Sequence, residues 1–88
     1  MRLDQFLKIS RLVKQRSMAK RVCDAGLVSV LGRSAKAGLE IRVGDELTLN
    51  MRDRFLRVTV IEIPTGNVHK EQAHTLYEIV EERDVSAY

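Results

Sequence analysis

The chain has 88 residues, 44% apolar and 31% charged, with a single cysteine and a net charge of +3. This length supports one small domain with a modest core; a lone cysteine excludes an internal disulfide, and no apolar run reaches the roughly 20 residues of a membrane-spanning helix. The charge is divided, with nine Lys and Arg against two acids in residues 1–36 and six against ten in residues 37–88, which excludes a uniformly adhesive basic protein and predicts one phosphate-facing side.

The opening MRLDQFLKIS lacks the apolar stretch and small-residue cleavage site of a secretory signal, and the cysteine usage suits a reducing compartment, so a cytoplasmic location is expected. Leu3, Phe6 and Leu7 lie at i, i+3 and i+4 and predict a short helix over 3–9, with Asp4, Gln5 and Lys8 outward and Asp4 spaced to pair with Lys8. Residues 10–25, SRLVKQRSMAKRVCDA, then place Arg11, Lys14, Arg16, Lys20 and Arg21 within eleven positions. Leu12, Val13, Met18, Ala19, Val22 and Cys23 are interleaved among them, so one side is buried and the cations are displayed. Ser17 is read as the N-cap of a second helix and Gly26 as its left-handed terminator. Lys20 and Arg21 then fall in the first turn, where the helix dipole is already positive. That placement suits an anion held beside Arg16, although solvated helix formers would look the same.

Val28-Ser29-Val30 alternates as a strand, Leu31-Gly32-Arg33 reads as a turn, and Ala35-Lys36 as a brief returning strand. Val43-Gly44-Asp45 predicts a tight turn before a strand with Leu47, Leu49 and Met51 inward, and Arg52-Asp53-Arg54 the turn after it. Residues 55–63 form the most strand-like run, with Leu56, Val58 and Val60 on one face, and residues 64–67 break it. Ala73, Leu76, Tyr77 and Val80 follow i, i+3, i+4, i+7 and predict an amphipathic C-terminal helix over 70–82, its carboxylates a solvated helix end. The expected fold is α+β: a helix-loop-helix, a small antiparallel sheet and that last helix.

Signatures of catalysis and metal binding are absent from the sequence, and no cofactor is expected. His69 and His74 stand about 140° apart on a helix and do not share a ligating face. Cys23 falls on the buried stripe, where it reads as core. With aromatics at 5%, a base-stacking platform is not expected, and Phe6 and Tyr77 are read as core. A DNA-reading helix-turn-helix needs a 3–4-residue turn, whereas residues 10–16 separate the two helices and themselves carry charge. Phosphate and shape recognition of structured RNA fits better than base reading of DNA.

The run RLDQFLKISRLVKQRSMAKRVCDAGLVSV, followed by Gly32, Ala35-Lys36 and Val43-Gly44-Asp45, resembles the S-four-type RNA-binding domain first described in a ribosomal small-subunit protein. The resemblance covers about residues 1–50 of a single domain 1–88 and leaves 51–88 as a strand-plus-helix extension. It implies two helices and a β-hairpin docking on folded RNA. The whole chain is similar to a narrower bacterial group, the stand-alone ribosome-associated quality control factors of RqcP type. That likeness implies binding to stalled large ribosomal subunits carrying peptidyl-tRNA, contact with 23S rRNA and tRNA, and support of C-terminal alanine tailing by the partner factor RqcH. It also implies RNA contacts at Arg2 and Arg16; the charge pattern adds Arg11, Lys14, Lys20, Arg21 and Lys36. Leu31-Gly32 departs from the Asn-Gly usual at the hairpin turn, and Gly38 from a frequent serine. The related fifteen-kilodalton heat-shock protein has a longer basic extension. No enzyme, membrane or DNA partner is expected, and the protein should be a monomer off the ribosome. The alternatives are a general rRNA-binding, ribosome-recycling or heat-shock factor, or a basic protein-interaction module.

Overall fold

Leu3, Phe6 and Leu7 are fully buried and dock α1, Leu3–Ile9, against α2, Arg16–Asp24, which contributes Ala19, Val22 and Cys23. The computed structural model describes residues 1–52, 54–66 and 68–84. Helix α2 begins at Arg16 after an N-cap at Gln15, and no side chain caps it. Ser17 is therefore inside the helix, since Ala19 N–H already bonds Gln15 C=O at 2.9 Å. Lys20 and Arg21 accordingly stand beyond the first turn. The buried stripe is narrower than expected, with Met18 43% exposed. Gly26 takes φ +78° as expected, and its N–H bonds Cys23 C=O at 3.0 Å to close the helix.

Strand β1, Val28–Val30, pairs antiparallel with β2, Arg33–Ser34, and on its other side with β3, Glu46–Asn50. The returning strand thus precedes Ala35-Lys36; Ala35 instead turns into the core while Lys36 stays exposed. β4, Arg54–Val60, pairs with β3 and buries Leu56, Val58 and Val60. Asp53 and Asn67, which belong to the expected turn and break, lie outside the described residues.

The C-terminal helix is replaced by a 3-10 helix, Lys70–Leu76, and a fifth strand, β5, Tyr77–Asp84, giving the sheet order β2-β1-β3-β4-β5. The helical period holds only for Ala73 and Leu76, which are buried; Val80 is 52% exposed. The cause is tertiary. Strand β4 would otherwise leave a row of backbone donors and acceptors open at its free edge, and the β-forming Tyr77, Ile79 and Val80 return to pair with it. Arg57 faces Glu81 while Val58 faces Ile79, so Val80 is the extra residue of a bulge. Carboxylates of this segment pair across the strands, Arg57 bonding Glu81 at 2.6 Å and Arg54 pairing with Glu82 at 3.2 Å, while Arg83 pairs with Glu81 along β5 itself at 3.0 Å. Among the described residues no helix is long and apolar enough to cross a membrane.

Candidate nucleic-acid interface

The residues of interest meet where α1 starts. Leu3 N–H bonds Leu39 C=O at 2.8 Å and Asp4 N–H bonds Ala37 C=O at 3.0 Å, so the loop after β2 covers the first turn of the helix. Asp4 is thereby buried, its side chain 4% exposed, and it does not reach out to Lys8. Its carboxylate instead accepts from Arg2 Nε at 3.2 Å and Arg2 Nη2 at 3.4 Å, from Arg16 Nε at 3.5 Å, and from the Gln5 backbone N–H at 2.8 Å. Two arginines from different helical segments are so gathered on one buried anion, while each stays about half exposed. A guanidinium has five donors in a rigid fork, so an arginine tethered by one edge still presents donors to a phosphate. The trio keeps a charge of about +1 and holds it in a set geometry.

Lys20 lies one turn beyond Arg16 on the same face of α2. Arg11 and Lys14 occupy the loop between the helices, exposed and outside the Asp4 cluster. Arg11 holds φ +62°, the left-handed position after α1 that glycine usually takes, and its N–H bonds Lys8 C=O at 3.1 Å. Arg21 is exposed on α2, and Lys36 is exposed two residues before Gly38, against which the Arg2 guanidinium lies. Among the described residues Arg11, Lys14, Lys20, Arg21 and Lys36 form no ion pair, whereas Arg54 and Arg57 are paired with acids of β5 and Arg83 with Glu81 of its own strand. Exposed cations without an ion pair are therefore concentrated in residues 1–36, with Arg42, Arg52 and Lys70 the others among the described residues.

The role of Asp4 escaped the sequence reading. Its one signal there was an acid within an otherwise cationic stretch, in the first turn of a helix. Burial by itself would raise the Asp4 carboxyl. The hydrogen bond and charge of Arg2, then the charge of Arg16 and the Gln5 N–H, outweigh that and hold it below its ordinary value. A depressed carboxyl contributes stability above its unfolded value, near about 4, and loses it as pH falls through the folded value. The melting temperature should therefore fall on acidification below about pH 4, and Asp4→Asn should flatten that limb. Identical acid limbs in the two proteins would remove Asp4 from the account. Burial, with the nearby charges of Asp4 and Asp24, pushes the Cys23 thiol up to about 11, so it stays protonated and unreactive in the core.

A fold of two short helices and a hairpin, carrying a paired-arginine cluster at the helix junction, defines a class. Residues 1–47 match the family model described as S4 domain, and the chain belongs to that family. Within it the chain is similar over nearly its whole length to proteins named RQC P-site tRNA stabilizing factor. One, from Halalkalibacterium halodurans, is 44% identical over 98% of this chain and 97% of its own. Another, from Bacillus subtilis, is 44% identical over 93% and 94%. The chain is a member of that family. Among solved structures, Vibrio cholerae Heat Shock Protein 15 superposes with a TM-score of 0.81 at 27% identity, covering 91% of this chain and 81% of that one. A protein titled HP1423 gives 0.78 at 32% identity, covering 94% and 100%.

Proposed function

We propose that this protein is a non-enzymatic RNA-binding factor of ribosome-associated quality control that steadies P-site tRNA on large ribosomal subunits. The observation that carries the reading is the pair of half-exposed arginines, Arg2 and Arg16, set side by side on the buried Asp4. The family name of its relatives supports tRNA as one ligand. In this reading the guanidinium pair grips backbone phosphate at a bend of folded RNA, and Arg11, Lys14, Lys20, Arg21 and Lys36 widen the contact. The protein bridges 23S rRNA and peptidyl-tRNA, and the held tRNA then serves alanine tailing by RqcH. It acts as a monomer in the cytoplasm and uses no cofactor.

Cations that displace counterions from phosphate give binding a steep salt dependence. Co-sedimentation of the purified protein with large subunits carrying P-site tRNA, repeated over a salt series, should give a log–log slope of about −3 or steeper if four or more phosphates are neutralised. A slope near zero would contradict the reading.

A further inference from the structure

The hairpin tip is built against its own backbone preference. Val30 pairs with Arg33, so Leu31 and Gly32 alone form the turn, and their φ values of +52° and +82° are those of a type I′ turn. Asparagine, aspartate or glycine takes the first of these positions without strain, whereas leucine there crowds its own backbone. Burial does not compensate, because Leu31 is 66% exposed.

Leu31 forms one wall of an open groove of about 690 Å³, and the 42% exposed Leu39 forms another. Its four charged liners are unequal. Glu40 is paired with the Met1 amino group at 3.0 Å, and the Asp45 carboxylate accepts the Arg42 N–H at 2.9 Å. Arg33 and Lys36 form no ion pair among the described residues, so two cations face a ligand against the one carboxylate, Asp45, that no cation offsets. The groove also adjoins the arginine cluster, since Leu39 C=O accepts the Leu3 N–H and Arg2 lies against Gly38. A nucleotide has the matching pattern of an apolar base face with a phosphate on either side.

From the strained leucine, the aliphatic walls and the two free cations we infer that this groove seats one unstacked RNA base, with Arg33 and Lys36 on its flanking phosphates. The inference rests on the RNA-binding reading above and extends it to the hairpin. The strain at Leu31 is then the cost of holding an apolar side chain at the tip, where the base meets it.

Leu31→Asn tests the two halves in opposite directions. Relief of the backbone should raise the melting temperature by a few degrees, while loss of apolar contact should weaken binding to large subunits carrying P-site tRNA roughly tenfold. Leu31→p-benzoylphenylalanine, irradiated on the same particles, should give an adduct removed by ribonuclease. A protease-sensitive, nuclease-resistant adduct would make the groove a protein-docking site and overturn the inference. So would parental affinity in Leu31→Asn. Arg16→Ala run in parallel separates the levels: if it binds weakly while Leu31→Asn binds normally, the groove inference alone fails. If Arg16→Ala also binds like the parent, the RNA-binding reading itself fails.

Discussion

Arg16→Ala is expected to lower the affinity for large subunits carrying P-site tRNA by roughly ten- to hundredfold, the loss of one charged hydrogen bond to phosphate. Stability should change little by comparison. The side chain is 54% exposed and contacts Asp4 through Nε at 3.5 Å, a half-solvated pair of the kind worth about 1 kcal/mol or less. Asp4 keeps Arg2 and the Gln5 N–H after the substitution, so no buried charge is orphaned. Arg16→Lys is a useful companion, because it retains the charge but loses the fork that reaches Asp4 and phosphate together; an intermediate affinity is expected. Thermal melts and co-sedimentation on the same samples decide the matter. A melt lowered by tens of degrees, with binding lost only in unfolded protein, would return Arg16 to a purely structural role.

Leu76→Ala should destabilise the fold by about 2–5 kcal/mol, the range for truncating a buried leucine that leaves a cavity. Leu76 is 2% exposed at the junction of the 3-10 helix and β5, and its C=O accepts both Ile61 N–H at 2.8 Å and Glu62 N–H at 3.2 Å. The side chain thus anchors the point from which β5 sets out along β4. For a domain of this size the melting temperature should fall by roughly 10–30 °C. Denaturant unfolding provides the check, and a loss below 0.5 kcal/mol would mean that β5 docks without this anchor. Reversal of Glu81 and Glu82 to lysine should also destabilise the fold, since the two carboxylates pair with Arg57 and Arg54 of β4.

The helical end was legible from residue order because its signals are local. The span of α1, the left-handed Gly26, strand β1 and the turn at Val43-Gly44-Asp45 depend on spacing and backbone chemistry within a few residues, and all appear as read. The cations of residues 11–21 were equally plain, because display on a surface needs only an apolar complement nearby. Asp4 was misread for the opposite reason. Local spacing offers it Lys8, whereas the loop at Ala37–Leu39 buries it and hands it two arginines, one of them twelve residues away.

The C-terminal segment divides along the same line. Residues 70–80 satisfy a helical period and contain enough β-formers to satisfy a strand, so sequence alone leaves the choice to context. The free edge of β4 made that choice: its seven-residue backbone, with Arg54 and Arg57 placed to pair with Glu82 and Glu81, draws Tyr77–Asp84 into the sheet. Composition and spacing by themselves determined an α+β chain with a cationic helical end and a net-acidic remainder. Only the tertiary structure decided which charges stay available to a ligand, because that depends on which acids the folded chain brings within a few ångströms of each cation.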